Sequence, residues 1–207
     1  MKALHYQRQV LGYHGCDRSL CDLVLTGGAR LRPSRNDHDW LGEGLYFWEF
    51  GPERAMEWAI ERKRKKTGEV KDPAVLGSII HLGNCFDLLD VRNTLLLRKS
   101  YQAVKALRES EGKSLPQNEG TKTRSQDLVL RKLDCEVLNL ALPILELEMG
   151  IRFDSVRGMF SEGDPVFPGS KIDLKSHIQI AVRNPDCVVG YFLPEGLLQA
   201  EYPPQRS

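Results

Sequence analysis

The chain has 207 residues, a formal net charge of +1, 41% hydrophobic residues and 28% charged residues. This length accommodates one domain, or one domain with an insertion, and the near-neutral charge gives no global field that would demand a nucleic acid or a membrane as partner. The five cysteines are scattered without a Cys-x-x-Cys pair, so we expect neither a disulfide framework nor a metal site, and a reducing cytoplasm fits best. No run of residues approaches the roughly 20 apolar positions that span a bilayer.

The chain begins with a predicted strand, helix and loop. Gln9 to Gly15 has the pattern of a strand, and Asp17 is a suitable N-cap for the helix that follows. The pair Gly27-Gly28 should end that helix. Between Ala29 and Asp39 we expect a polar loop rich in arginine, which leads the chain into an aromatic stretch.

That stretch, Asp39 to Trp48, combines two glycines with an abrupt aromatic run. Gly42 and Gly44 permit backbone conformations closed to other residues and allow a ligand to approach the main chain. Tyr46 and Phe47 should point to opposite faces of a short strand, so that one face is core and the other is available for stacking. Taken alone, the same pattern is also typical of ordinary hairpin packing.

The rest of the chain alternates between regions of strands and helices. Pro52 suits the first position of a helix that ends in the basic run Arg62 to Lys66, which is either a solvated helix end or a contact for a phosphate-rich partner. A strand is expected over 74–82, and two helices over 95–107 and 128–147, with Pro143 kinking or ending the second. The remaining strands are expected over 153–160, 178–182 and 187–193. This order predicts an α+β fold rather than a regular βαβ alternation.

Three separated pieces of the sequence can be compared with a known family: Tyr13-His14-Gly15, the segment Gly42 to Phe47, and the late strand around Gln179. Together they resemble the ADP-ribosyltransferases of the diphtheria-toxin and poly(ADP-ribose) polymerase type. In that family a His-Gly pair, a Gly-x-Gly-(Ile/Leu)-Tyr-Phe segment followed by an Ala-bearing helix, and a late strand with a glutamate form the NAD pocket. The resemblance covers the strands at both ends of the chain. It implies one domain, 1–207, with a split β-sheet core and a helical insertion at about 91–149.

Two positions depart from the family pattern. Gln179 stands where the glutamate usually does, so that the triad would be His14, Tyr46 and Gln179. Arg54 occupies the place of a serine that bonds the nicotinamide amide in the polymerases. These departures favour a mono-transferase over polymer synthesis.

The resemblance also implies roles for single residues. Gly15 would offer its backbone N–H and C=O to the carboxamide, His14 would bond a ribose hydroxyl, and Tyr46 would stack on the nicotinamide ring. Gln179 would bond the ribose 2′-hydroxyl without supplying the charge that stabilises an oxocarbenium-like centre. A carboxylate at Glu162 would compensate for that missing charge.

Further residues have expected contacts with the two substrates. His177, two residues before Gln179 on the same face of the strand, would face the acceptor and take its proton. The arginine loop supplies a bidentate partner for the pyrophosphate, either Arg30 or Arg32, with Arg35 as a further candidate. The NAD-binding residues expected overall are Tyr13, His14, Gly15, Arg30, Arg32, Gly44, Tyr46 and Arg54.

The function expected from the resemblance is NAD-dependent mono-ADP-ribosylation of a macromolecule, either a protein or a nucleic acid. A bacterial toxin or defence effector, with an antitoxin or inhibitor protein as partner, would fit such an activity. Two other functions remain open: a non-catalytic module that binds NAD or ADP-ribose, and an NAD glycohydrolase. For single residues the structural alternatives are a turn histidine at His14, a core aromatic at Tyr46 and an exposed strand residue at Gln179.

Overall fold

A computed structural model describes residues 8–65, 68–120 and 128–196 of the chain. Lys66 of the predicted basic run lies outside these ranges. Over these ranges the fold is mixed α/β, with four α-helices and a mostly antiparallel seven-stranded sheet. The strands are β1 (Gln9–Asp17), β2 (Leu45–Glu49), β3 (Pro73–His81), β4 (Cys85–Asp87), β5 (Ser155–Phe160), β6 (His177–Val182) and β7 (Val188–Phe192), and the helices are α1 (Arg18–Leu25), α2 (Pro52–Arg64), α3 (Val91–Ser110) and α4 (Lys132–Met149).

Local sequence signals set several element boundaries as expected. Asp17 caps α1, because its carboxylate accepts a hydrogen bond of 3.0 Å from the Ser19 N–H. The helix α2 begins at Pro52, where the missing proline N–H has no helical partner to lose. Pro143, however, does not end α4, which continues to Met149. The expected helix start at residue 128 is also wrong, since α4 begins at Lys132.

The sheet has the strand order β4-β5-β6-β2-β1-β3-β7, and only the β4–β5 pair is parallel among the described strands. The helix α1 covers one face, where Phe47, Leu76 and Ile180 are fully buried together. Because side chains alternate along a strand, Trp48 lies on the opposite face. There it packs with Ala55 of α2. The helix α4 also packs on this second face, against residues of β5 and β6.

The two edges of β1 are paired to different extents. Along β3 the register is continuous over nine pairs, from Gln9–His81 to Asp17–Pro73. Along β2 it comprises two pairs, Gly12–Glu49 and Tyr13–Trp48, after which the strands part. We call the gap beyond Tyr13 the β1–β2 opening. It divides the sheet into a β1-β3-β7 part and a β2-β6-β5-β4 part.

Within the described ranges, no helix combines the length and the apolar character needed to cross a lipid bilayer.

Candidate functional site

A cleft of about 1080 Å³ lies at the β1–β2 opening. Its volume lies just above the range of roughly 300–1000 Å³ that small-molecule sites occupy. The chain has three tryptophans, Trp40, Trp48 and Trp58, and all of them line this cleft. The predicted site residues that also line it are His14, Gly15, Arg32, Tyr46, Arg54, Glu162 and Gln179.

His14 links the two parting strands by its side chain. Its Nδ1 lies 2.8 Å from the Tyr46 carbonyl oxygen, and because a carbonyl can only accept, Nδ1 carries the proton. The lone pair of Nε2 is then available to a ligand. Burial lowers the pKa of His14, with the Tyr46 carbonyl opposing that effect, so the ring is neutral at pH 7. His14 can therefore accept a hydrogen bond from a hydroxyl group through Nε2.

Gly15 presents its backbone to the β1–β2 opening. The Phe50 N–H bonds the Leu11 carbonyl at 3.0 Å, and because backbone directions alternate along a strand, the N–H and C=O of Gly15 face the same side as those of Leu11. The expected reason for the glycine was ligand approach, and the structure gives a different one. A Cβ atom at this position would lie 2.1 Å from the Ala55 carbonyl oxygen, so only glycine lets α2 pack against β1 here.

Tyr46 is fixed in the cleft wall by its hydroxyl group. The hydroxyl donates to the Gly42 carbonyl at 2.6 Å and accepts from the Leu41 N–H at 2.8 Å. Gly42 has a φ of +77°, which glycine adopts readily. Burial, and next the Asp39 charge, raise the pKa of Tyr46 well above its usual value. The phenol is thus held neutral and cannot act as a base, and its ring remains to contact a ligand.

Gln179 and His177 form a hydrogen-bonded pair on β6. The His177 Nδ1 lies 2.6 Å from the Lys175 carbonyl, so Nδ1 is the donor, and Nε2 accepts from the Gln179 amide nitrogen at 3.1 Å. The His177 ring does not line the cleft and packs against Trp40 and Phe160. Burial lowers the pKa of His177 to about 4, with smaller contributions from nearby positive charges. Its expected role as the base facing the acceptor stays a prediction.

Arg54 belongs to a charged cluster in the cleft wall. Its Nη2 lies 2.8 Å from a Glu162 carboxylate oxygen, and its Nη1 contacts Glu57. Glu57 also contacts Lys175, and the pKa of Glu57 is lowered because the attraction of Lys175 and Arg54 outweighs burial. Glu162, from which we expected a compensating negative charge, lines the cleft. Its carboxylate forms an ion pair with Arg54 there.

Three expected NAD-binding residues do not line the cleft. Tyr13 packs edge-on against Phe192 at a centroid distance of 6.1 Å. Gly44 exchanges both backbone hydrogen bonds with Ser34, and a Cβ there would lie 3.1 Å from Ala181. Arg30 is exposed and lies near Tyr191 of β7. Their expected contacts with NAD remain predictions that the geometry does not favour.

Two tryptophans were not anticipated as cleft residues. Trp58 follows Arg54 by four positions on α2, so helical spacing alone would place both on the same face. The Arg62 guanidinium lies 4.8 Å from the centroid of the Trp58 ring. Trp40 donates through Nε1 to the Val129 carbonyl at 2.8 Å. The contact between Trp40 and Val129 joins residues 89 positions apart, so no local sequence pattern could have predicted it.

The residues described contain no group of three or more His, Cys, Asp or Glu side chains placed to hold a metal ion. The hydrogen-bonding groups that line the cleft, such as His14 and Gln179, suit the hydroxyl and amide groups of an organic ligand.

Comparison with known proteins gives one relative. The chain is 26% identical over 206 residues to the uncharacterized protein MJ0359 of Methanocaldococcus jannaschii, an alignment that covers 89% of this chain and 86% of that protein. No protein-family model matches the chain, and no solved structure matches it. The comparisons therefore do not assign the chain to a family.

Proposed function

We propose that the chain is an NAD-dependent mono-ADP-ribosyltransferase and that the cleft at the β1–β2 opening is its NAD site. One observation carries this proposal. His14, Tyr46 and Gln179 come from three different strands, and all three line the same cleft at the place where β1 and β2 part. The sequence resemblance gives these three residues a common role, and their convergence supports it.

The part of the site that we propose binds NAD consists of groups that are held in place before a ligand binds. Gly15 offers backbone N–H and C=O to a carboxamide, and the neutral His14 accepts from a ribose hydroxyl through Nε2. Tyr46 offers the face of a ring that its hydroxyl bonds hold still. Because these groups are already fixed, little ordering is needed on binding.

NAD supplies the bond between nicotinamide and ribose, whose cleavage develops positive charge at the ribose carbon C1′. An acceptor nucleophile forms a bond to that carbon as nicotinamide leaves with the bonding electrons, and the proton of the acceptor passes to solvent water. Gln179 contributes a neutral oxygen, which stabilises such a charge less than a carboxylate would. Glu162 lines the same cleft and is our candidate for the negative charge.

A non-catalytic NAD or ADP-ribose binding module is the second candidate. It is favoured by the neutral amide at Gln179 and by the ion pair of 2.8 Å that engages Glu162 with Arg54. Both features leave the site with less free negative charge than cleavage calls for.

Incubation with NAD labelled in its adenylate group, together with a cell lysate, separates these functions. Label retained on protein or on nucleic acid supports transfer and identifies the acceptor class. Free ADP-ribose alone supports NAD hydrolysis, and saturable binding without any product supports the binding module. If neither binding nor product is observed, all three functions are overturned.

Matched variants then test the site. Tyr46→Ala and Gln179→Ala should each lower product formation at least tenfold. Gly190→Ala, on β7 where a Cβ would meet no atom within 4 Å, serves as the control. Unchanged activity in both cleft variants would show that the chemistry lies elsewhere. A toxin or defence role, an antitoxin partner and a cytoplasmic location stay predictions.

A further inference from the structure

We propose that His177 is a positioning residue: as a neutral hydrogen-bond acceptor it fixes the amide of Gln179 so that the amide oxygen Oε1 is directed to the cleft. The role of that oxygen toward a ribose hydroxyl rests on the proposed function. The orientation of the amide does not, since it follows from contacts within this chain.

The His177 ring is held from three sides. Its Nδ1–H donates to the Lys175 carbonyl at 2.6 Å. The ring stacks on Trp40 with a centroid distance of 5.9 Å and an interplanar angle of 25°. Phe160 and Trp48 lie at centroid distances of 6.1 and 6.4 Å. Rotation of the imidazole would break the hydrogen bond and the stacking together.

This fixed ring decides which end of the Gln179 amide faces it. Because Nδ1 carries the proton, Nε2 presents a lone pair, and only an N–H group can meet a lone pair favourably. The amide nitrogen of Gln179 lies 3.1 Å from Nε2. The oxygen Oε1 is then the end available to the cleft that Gln179 lines. Without such a partner the two ends of a glutamine amide are nearly interchangeable.

The surroundings keep the ring neutral, as an acceptor must be. Two arginines face His177: Arg54 lies on α2, and the Arg131 guanidinium lies 4.4 Å from the Trp40 ring centroid and 4.8 Å from that of Phe160. Burial lowers the pKa of His177 most strongly, and the two arginines add to that effect, whereas the hydrogen bond to the Lys175 carbonyl and, to a smaller extent, Glu57 raise it. The neutral state is consequently maintained over the whole physiological pH range.

The pair also accounts for an amide at position 179. A carboxylate there would have no proton to share with the Nε2 lone pair, and the two acceptors would repel each other unless His177 became protonated. The two arginines make that protonation costly. A neutral histidine and a glutamine are thus mutually suited, and the pair supplies an oriented acceptor oxygen in place of a negative charge.

Two variants at position 177 separate the hydrogen bond from the packing. His177→Phe keeps an aromatic ring among Trp40, Trp48 and Phe160 but removes the acceptor. His177→Gln removes the ring but restores an acceptor oxygen for the Gln179 amide. We expect NAD affinity, measured by calorimetry, to fall about tenfold in His177→Phe and to recover to within about threefold of the unaltered protein in His177→Gln. Equal affinity of His177→Phe and the unaltered protein would overturn the proposal.

The general-base role makes a different prediction. If His177 removed the acceptor proton, both variants would lose transfer while keeping NAD affinity. That pattern would also overturn the positioning role. The reciprocal variant Gln179→Glu adds a pH test: its NAD affinity should fall as pH rises and His177 loses the proton it needs, whereas the affinity of the unaltered protein should be constant between pH 6 and 9.

A measurement without NAD keeps the proposal testable even if the proposed function fails. In the ¹⁵N-labelled protein, the nitrogen shifts of His177 should show a protonated Nδ1 and an unprotonated Nε2, and one amide proton of Gln179 should exchange slowly with solvent. His177→Phe should abolish that protection. A protonated Nε2, or two equally exchanging amide protons in the unaltered protein, would overturn the orientation. The expected spectrum without NAD binding would support the orientation and overturn the NAD proposal.

Discussion

Two charged clusters in this protein each join an arginine to two carboxylates and differ in their access to water. The closed charged cluster consists of Arg157, Glu49 and Asp87. The open charged cluster consists of Arg54, Glu57, Glu162 and Lys175. Side chains of the first are 3–9% exposed, and those of the second are 12–18% exposed and lie in or beside the cleft. Ion pairs enclosed between strands contribute mainly to stability, whereas ion pairs at a cleft wall can respond to a ligand.

The largest expected effect is on the closed cluster. Arg157 Nη1 lies 3.0 Å from Asp87, and Nη2 lies 3.1 Å from Glu49. Arg157→Ala would leave the buried Asp87 carboxylate without its arginine, and Glu49 with the exposed Arg8 at 3.6 Å as its cation. The free energy of unfolding should therefore fall by about 3–5 kcal/mol. Arg54→Ala is the matched variant of the open cluster, and it should cost about 1 kcal/mol. Urea denaturation of both variants measures the difference.

The loss of NAD affinity should be larger in Arg54→Ala than in Arg157→Ala, the reverse of the order for stability. Arg54→Ala removes one positive charge from beside Glu57 and Glu162 in the wall of a cleft whose proposed ligand carries phosphates, so we expect about a tenfold loss of affinity. Arg157→Ala, at a temperature where it remains folded, should retain NAD affinity within about threefold. If Arg54→Ala destabilised the protein as strongly as Arg157→Ala, the division into a closed and an open cluster would be incorrect.

The next effect concerns the glycine at the β1–β2 opening. Gly15→Ala places a Cβ 2.1 Å from the Ala55 carbonyl, and because that atom belongs to a helix backbone, α2 must shift. We expect a loss of about 1–3 kcal/mol in the free energy of unfolding. Gly190→Ala is the control, since no heavy atom lies within 4 Å of the added Cβ. Equal thermal unfolding of the two variants would contradict the close packing of α2 on β1.

A smaller effect tests which arginine serves the cleft. Arg32 lines the cleft, so Arg32→Ala should weaken NAD binding about tenfold while leaving the unfolding temperature unchanged. Arg98→Ala, an exposed arginine of α3, is the control for the loss of one positive charge. Calorimetric titration with NAD compares them. A loss of affinity in Arg30→Ala but not in Arg32→Ala would show that the arginine loop moves when NAD binds.

The smallest effect is on the pH dependence of stability. The pKa values of His14 and His177 are both lowered in the folded protein, so the unfolded chain binds more protons below about pH 6.5. Stability is then fully present above that pH and decreases as the pH falls toward 4. His177→Gln should reduce the loss between pH 7 and pH 5 by about 1–2 kcal/mol. Identical pH profiles of denaturation for the variant and the unaltered protein would contradict the neutral, buried state of His177.

The sequence predicted those parts of the fold that local chemistry determines. The N-cap at Asp17, the start of α2 at Pro52 and the buried Phe47 of β2 follow from side-chain and backbone rules that act within a few residues. Pro143 does not end α4, because a helix packed against the sheet by Leu142 and Leu145 tolerates one missing hydrogen bond, and the alternative of a kink stays a prediction. The mixed α/β class was predicted correctly, and the divided pairing of β1 was not a property of any local pattern.

The sequence predicted which residues share a cleft better than it predicted how their side chains are oriented. Resemblance singled out His14, Tyr46 and Gln179, and the fold brings them to one cleft. The bond between His177 and Gln179 was missed, although both residues were chosen, because the direction of a side chain depends on the Lys175 carbonyl and on aromatic rings from distant segments. Contacts such as that of Trp40 with Val129 span so many residues that only the assembled fold reveals them.

The most direct test of the NAD site uses the tryptophans themselves. All three of them line the cleft, so a ligand that enters it must change the intrinsic fluorescence of the protein. Titration with NAD should give a saturable change in tryptophan emission that Tyr46→Ala abolishes or shifts at least tenfold to higher concentration. Circular dichroism first establishes that the protein is folded. If the emission of the folded protein then did not change up to millimolar NAD, this result would contradict NAD binding at the β1–β2 opening.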